Sequence, residues 1–374
     1  MSLPPYTFIT SEPAWQECLA ALRDEPAIAL DLESNSMYVY RERICLIQIS
    51  TPTHDYIVDP LQKLNFDGLG ELVQDPTVQK ILHAAEYDMI LMKQEHDWDL
   101  HNLFDTQWAA RILGYERVGL ANILEETFGV VLDKQFQRMD WGKRPLSSAH
   151  LNYAQGDTHY LFRLREKFVA ELEAGGHEEE AFEAFEINTV IRPKDGIFDP
   201  ESFWGIPGIK LLQPRQRATL RALAIFRDQE AKKQDLPHFK VMGNKTLLAL
   251  AEAQPRTMNQ LPHIDGVGHN LIRRYGTAIL RVIEAAQKDP LPTRPPRQRL
   301  PDAVQERYDN LSEWRKQRGL ARGVESDVII SREAVMALAK ANPKTTAELE
   351  ALPELPPWRR QVYGQEILAV LRKR

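Results

Sequence analysis

The seven residues Ala27-Ile28-Ala29-Leu30-Asp31-Leu32-Glu33 decide how the N-terminal half of the chain is read. Their apolar run predicts a buried β-strand, yet two carboxylates stand two residues apart at its C-terminal end, and side chains two apart on a strand project from one face. Like charges on one face repel, and taking either carboxylate out of water without a partner is costly or forces protonation. A divalent cation would answer both problems. A strand that ends in solvent at Glu33, with Asp31 capping a turn, fits the same seven residues, so the choice falls to the remaining sequence.

Upstream, Tyr6-Thr7-Phe8-Ile9 reads as a strand and Ser11 as the start of a helix with Pro13 in its first turn. Downstream, Arg43–Ile49 and Asp55–Asp59 are two further strands, and three in succession with short turns make an antiparallel meander. Strands and helices then alternate: Gln79–His83, a helix Ala84–Glu95 carrying Asp88, a short strand Asn102–Asp105, and a helix Thr106–Leu113. The expected fold is a mixed sheet flanked by helices. Asp88 would lie at the C-terminal edge of a strand, where sites form in α/β proteins, although an acid in a helix's first turn also suits the helix dipole. His83 is read as a buried hydrogen-bonded histidine or as a support for metal ligands. Hard cations prefer oxygen, which argues against ligation by His83 itself.

Further on, Ser147 is a suitable N-cap for a helix whose Leu151, Ala154, Leu161, Leu164 and Phe168 make an apolar stripe. Tyr153 and Asp157 are four apart and share a face. Such a pair can bind a metal and hold water beside it, or it can be a surface hydrogen bond. Gly156 within the helix costs about 1 kcal/mol against Ala and predicts the close approach of another group.

Composition sets limits on these readings. The 374 residues predict two or three domains, and the 43% hydrophobic and 27% charged content is that of a globular protein. No apolar run approaches the roughly 18 residues that a membrane span needs, and no basic segment followed by an apolar one opens the chain. The expectation is a cytoplasmic protein without a membrane partner. Cys18 and Cys45 are the two cysteines, so neither a disulfide framework nor a cysteine-rich zinc site is expected. The net charge of −6 conceals an asymmetry. Residues 1–204 hold 17 Lys and Arg against 35 Asp and Glu, whereas residues 205–374 hold 30 against 18. A basic half tied to an acidic one suggests a polyanion as partner for the former.

Beyond Phe168 the composition shifts. Glu171–Glu186 reads as an acidic helical stretch broken at Gly175-Gly176, and Ile191–Pro214 is rich in proline and glycine. A repeat follows. A shift of 88 residues superposes Leu247-Leu248-Ala249-Leu250-Ala251 on Val335-Met336-Ala337-Leu338-Ala339, Phe226 on Trp314, and Tyr275-Gly276 on Tyr363-Gly364. Two tandem helical modules are therefore expected, with Pro290–Pro296 between them. The expected boundaries are 1–190, a connector 191–210, a first module 211–289, a linker 290–299, and a second module 300–374. The first module carries most of the basic excess, 17 Lys and Arg against 7 acids over 205–300. Its turn His263–His269 is glycine-rich at a helix start beside Arg273 and Arg274, and can hold phosphate. The matching Ala351–Pro357 has no glycine.

Taken together, Asp31 and Glu33 on a strand, Asp88 opening a helix, and Tyr153 with Asp157 on a later helix resemble the three exonuclease motifs of the DEDD superfamily in its tyrosine branch. Phe104-Asp105-Thr106-Gln107, Asp140-Trp141 and Arg144-Pro145-Leu146-Ser147 are similar to the ribonuclease D family, and the two repeats resemble HRDC domains, which that family carries after its nuclease. The resemblance spans essentially the whole chain. It implies α/β plus all-α architecture: an RNase H-like mixed-sheet 3′-5′ exonuclease domain followed by two helical HRDC-type domains. It also implies hydrolysis of RNA to nucleoside 5′-monophosphates, with Asp31, Glu33, Asp88 and Asp157 holding two divalent ions, Mg²⁺ or Mn²⁺, and with tRNA precursors as partners of a monomer. A phosphodiester is already anionic, so cations lower the barrier by neutralising it. Tyr153 would orient water rather than act as a strong base, since a phenol near pKa ~10 is mostly protonated at neutral pH. Lys134, Lys143 and Arg144 are candidates for phosphate contact, while Gln48 and Asp105 are read as structural or as supports for the ligands. A DNA exonuclease of the same superfamily and a nucleic-acid-binding protein without activity are the competing readings.

Overall fold

The computed structural model describes residues 3–190, 198–294 and 299–372. Six strands form one mixed sheet in the order β1-β4-β3-β2-β5-β6: β1 (Tyr6–Ile9), β2 (Ala27–Ser34), β3 (Ile44–Ser50), β4 (Asp55–Val58), β5 (Gln79–Leu82) and β6 (Leu103–Asp105). The meander β2-β3-β4 is antiparallel, and β1, β5 and β6 join it in parallel pairings. Parallel neighbours need a crossover. α1 (Glu12–Leu22) supplies one, and α2 (Asp67–Gln74) and α3 (Glu86–His96) supply others. The remaining helices of this domain are α4 (Thr106–Ile112), α5 (Leu120–Phe128), α6 (Ser148–His159), α7 (Leu161–Gly175) and α8 (Glu178–Asn188).

The pleat divides β2 into two faces. Ile28, Leu30 and Leu32 enter the main core with Trp15, Leu19, Ile47 and Ile49. Asp31 and Glu33 point the other way, toward the side on which α6 packs against β2, β3 and β4. A slip of one residue would exchange the two sets, so the apolar face fixes where the carboxylates go. The register sets Asp31 opposite Gln48 and Glu33 opposite Leu46, and a bulge follows at Glu33/Ser34.

The helix expected from Ser147 through Phe168 is two helices with a break at Tyr160, where φ is −90° and ψ is −5°. Its start is as expected. Ser147 caps α6 by accepting from the His150 amide, and the His150 ring returns the bond to Ser147, closing a capping box.

The repeat is structural. α9 (Pro214–Gln234), α10 (His238–Val241), α11 (Asn244–Ala253) and α12 (His269–Ala286) recur, displaced by 88 residues, as α13 (Asp302–Arg322), α14 (Ser326–Ile329), α15 (Arg332–Ala341) and α17 (Pro357–Arg372). The short α16 (Thr346–Glu350) stands where the first copy has a 3₁₀ turn, Met258–His263. Even the edge-on pair Phe226–Tyr275 has its counterpart in Trp314–Tyr363.

Contacts divide the described chain into two compact units, one from residues 3–34, 44–190 and 299–372, the other from 35–43 and 198–294. In the second unit, Phe203, Ile206, Ile209 and Leu212 are buried in the core of the first helical module. The C-terminal part of the expected connector is thus packed structure, whereas its residues 191–197 lie outside those described. Of the linker 290–299, residues 295–298 lie outside them as well. The β2–β3 loop also belongs to this unit. Tyr40 donates its hydroxyl to Asp228 at 2.7 Å and its amide to Asp235 at 3.0 Å, and Lys240 Nζ lies 3.8 Å from the centre of the Tyr38 ring.

In the first unit, the second helical module docks on α8. The acidic stretch supplies the contacts. Glu183 accepts from Arg359 Nη1 at 2.8 Å and from the Trp358 and Arg359 amides, while Arg359 also donates to the Ile329 and Val328 carbonyls at 3.1 and 3.0 Å. Glu180, fully buried, accepts from Arg322 at 2.6 Å. Burying charges is costly unless donors and acceptors are met, and each of the three guanidinium nitrogens of Arg359 has a partner. Removing one partner of such a pair typically costs about 3–5 kcal/mol. Glu183→Ala is therefore expected to lower the unfolding free energy by roughly that amount, measured by urea denaturation at neutral pH; a loss below about 1 kcal/mol would show that the docking does not depend on this pair.

Candidate active site

The carboxylates of Asp31, Glu33 and Asp157 present oxygens that all lie within 4.8 Å of one another. Two come from β2 and the third from α6, one turn beyond Tyr153. All three line a cavity of about 520 Å³ with Asp88, Tyr153, His83 and Lys134. Asp88, 6% exposed, approaches Asp31 and accepts from the Leu32 backbone. It stands beside the three-carboxylate group rather than within it.

Burial and mutual repulsion dominate the electrostatics. Burial pushes the Asp31 carboxyl up to about 7. Glu33 is raised well above its ordinary value, first by burial and then by the charges of Asp31, Asp157 and Asp88. Asp157 and Asp88 are raised in the same way, by burial and then by Asp31. The Tyr153 phenol is driven up by burial and by Asp157, Glu33, Asp31 and Asp133, so it stays neutral. Five carboxylates, counting Asp133, line the cavity against one lysine, Lys134, among the described residues. An oxygen-only donor set at this spacing, held against its own repulsion, fits a hard divalent cation such as Mg²⁺ or Mn²⁺. Asp31, Glu33 and Asp157 would hold it, and Asp88 lines the same cavity beside Asp31.

Two supports fix these side chains. Asp105 accepts four backbone N–H groups: from Ala84 at 3.1 Å, Ala85 at 2.9 Å, Gln107 at 2.8 Å and Trp108 at 3.2 Å. It caps α4 and also holds the turn before α3, where Ala84 has φ +60°, so the helix bearing Asp88 starts from a fixed point. On α6, Gln155 and His159 both bond Asp55, at 2.7 and 2.8 Å, and the Thr158 hydroxyl lies 2.8 Å from that of Ser50, whose own proton goes to Asp55. Residues on either side of Asp157 are thereby tied to β3 and β4. At Gly156 the Leu132 Cδ2 approaches closely and would lie 3.3 Å from an added Cβ.

The other expected site residues fall in several places. His83 lines the cavity and bonds Thr106 Oγ1 through Nδ1 at 2.9 Å. Thr106 Oγ1 gives its own proton to the Leu82 carbonyl. Lys134 is at the cavity, whereas Lys143 does not line it and is exposed, 3.9 Å from Asp140. Arg144 requires correction. Rather than facing phosphate, it spends all five N–H groups inside the protein: two on Asp59, at 2.6 and 2.7 Å, and the others on the Trp141, Lys143 and Cys45 carbonyls. Burial alone would raise Asp59's pKa, but the bonds and charge of Arg144 outweigh it and hold that carboxyl low. Arg273 and Arg274 are exposed on α12 in the other unit. Sequence reasoning passed over Asp133, Gln137, Asn122 and Gln107, which also line the cavity. Three of these lie in irregular or helix-start segments without periodicity to mark them, but Gln107 stood in a quoted motif.

Comparison with known proteins gives the following. The 3′-5′ exonuclease family profile matches residues 6–173, and the HRDC domain profile matches 216–283 and 304–371. Ribonuclease D of Escherichia coli (strain K12) is 32% identical over 76% of the chain and 76% of its own length. RRP6-like 2 of Arabidopsis thaliana is 30% identical over 76% of the chain, which spans only 34% of that longer protein. The crystal structure of Escherichia coli RNase D, described as an exoribonuclease involved in structured RNA processing, is matched with a TM-score of 0.72 at 27% identity over 99% of both chains.

The raised carboxyls set a sign. Unfolded carboxylates titrate near 4, so between that pH and the folded values the folded, cation-free protein holds protons the unfolded chain has lost. The cluster's stabilising contribution is full below about pH 4 and is lost as pH rises through about 7 for Asp31. Asp31→Asn is expected to raise the melting temperature of the cation-free protein at pH 8 but not at pH 4, read by calorimetry with a chelator present. An equal shift at both pH values would refute the repulsion.

Proposed function

The chain belongs to the ribonuclease D family, and from that premise we propose that it is a metal-dependent 3′-5′ exoribonuclease that releases nucleoside 5′-monophosphates from structured RNA, tRNA precursors among them, with two divalent ions at its site. The observation that carries the reading is the meeting of Asp31, Glu33 and Asp157 within 4.8 Å in a cavity that also holds Asp88 and Tyr153. When bound, the two cations would supply charge neutralisation at the scissile phosphate, an attacking water of lowered pKa and stabilisation of the departing 3′-oxygen.

The protein's own residues do the rest. Asp31, Glu33, Asp88 and Asp157 bring a charge of −4 to balance the two ions. Tyr153, kept neutral by its surroundings, retains its proton and so can donate a hydrogen bond to water or to a phosphate oxygen, which makes it an orienting group and not a base. Lys134, which lines the cavity, would meet the phosphate charge the carboxylates and ions leave unbalanced. The basic first module, with Arg273 and Arg274 exposed, is suited to the RNA backbone rather than to its sequence. Cys18 and Cys45 are buried and not disulfide-bonded among the described residues, as a reducing, cytoplasmic setting would allow.

The test is digestion of 3′-labelled RNA and DNA side by side with Mg²⁺ or Mn²⁺. RNA should be shortened from its 3′ end. Hydrolysis of neither would leave a binding protein, and preference for DNA would move the chain to the other branch of its superfamily's substrates. Asp31→Asn is expected to lower kcat by at least about 10²–10³-fold, in the range typical when a group stabilising developing charge is removed, while RNA still binds. Arg273→Ala with Arg274→Ala is expected to weaken RNA binding alike for all sequences and to reduce the slope of log K against log salt by about 0.7 per lost contact on a single strand; an unchanged slope would remove both arginines from the RNA path.

A further inference from the structure

Gln48 is fully buried on β3, and neither its Nε2 nor its Oε1 has a hydrogen-bond partner among the described residues. A buried amide without partners is costly, and such groups are rare in folded proteins. Its position narrows what it could be for. β3 pairs with β2 so that Gln48 stands directly across from Asp31, and residues opposite one another in an antiparallel pair have Cβ atoms about 4.5–5.5 Å apart on the same face.

The neighbours on that face are accounted for. Two residues along, Ser50 gives its hydroxyl proton to Asp55 at 2.6 Å and contacts Thr158. On the other side, Leu46 belongs to the small apolar core with Trp141, Leu151 and Ala154. The acceptor opposite Gln48 is the Asp31 carboxylate, which receives no hydrogen bond among the described residues. Metal-ligating carboxylates are generally held by a hydrogen bond from a neighbouring group, which aims them and tunes the ion's affinity.

We propose that Gln48 is a positioning residue for the metal site: when a divalent cation occupies the carboxylate group, the Gln48 amide Nε2 donates to the Asp31 oxygen that faces β3 and fixes which oxygen faces the ion. The proposal rests on the metal-dependent reading above and adds to it a residue that touches neither substrate nor ion. The cation-free fold then carries an unsatisfied amide as the cost of a prepared site. That makes a prediction with two opposed parts, which a residue serving only packing would not give.

Gln48→Leu keeps nearly the same volume and removes both orphaned atoms. In the cation-free protein it is expected to raise the melting temperature by roughly 2–6 °C, since the unsatisfied amide is gone. In calorimetric titration it is expected to weaken Mn²⁺ binding about 10–100-fold, the usual effect of losing a ligand's support, and kcat should fall while KM for RNA stays within about twofold. Gln48→Met, flexible enough to repack where Leu does not, should give the same pattern. Mn²⁺ affinity equal to wild type in a folded variant overturns the proposal, and so does a lowered melting temperature in both variants, which would mean that the amide is already bonded without the cation. A wild-type protein that binds no Mn²⁺ overturns instead the metal reading on which the proposal stands.

Discussion

Repulsion among carboxylates gathered at the end of β2 is the constraint that the nuclease half has to contain. No element that bears one of them is left to find its own place. The apolar side of β2 fixes Asp31 and Glu33 by register; Asp105 anchors the turn from which α3 and Asp88 start; and Asp55, with Ser50, locks α6 on both sides of Asp157. These bonds are buried or part-buried, so they are screened less than a surface pair would be. Rigid support makes the repulsion useful, because a scaffold that could relax would spread the charges and lose the site.

Much of this was legible in the sequence, and the reason is local. A strand with acids two apart, a helix with Tyr and Asp four apart, and Ser147 as a cap are readable because spacing within one element determines direction. The partners of Asp105, which was read as structural or as a support, and the role of Arg144 were not. Asp105 takes two of its four donors from residues 20 and 21 positions earlier, and Arg144 finds Asp59 at a separation of 85. Partners at that distance are set by tertiary packing, which spacing does not encode. The acidic stretch around Glu180 and Glu183 was legible as charge and helix but not as an interface, since its arginines come more than 140 residues later.

The two helical copies show how one fold takes different work. At the same shift of 88 residues, Arg322 and Arg359, which bind the acids of α8, correspond to Gln234 and Leu271 in the first copy. The apolar positions repeat, as in Leu261 and Leu349 or Ile279 and Ile367, because they build the module. The docking arginines do not repeat, because they serve the surface. Net charge hid this difference, and the pairwise comparison of the copies exposes it.

The interleaving of the two units also bears on the order in which the protein can be made. Glu183 becomes buried against Arg359, 176 residues further along the chain, and at the usual 5–20 residues per second that arginine leaves the ribosome roughly 9–35 s afterwards. Over that interval the nuclease sheet can already be folded while α8 still presents two acids and an uncovered flank. The loop 35–43 waits in the same way for the helices that hold Tyr40. Every carboxylate of the site is therefore synthesised before the module that covers α8, and charge at Glu180 and Glu183 favours solvation of that flank until their arginines arrive.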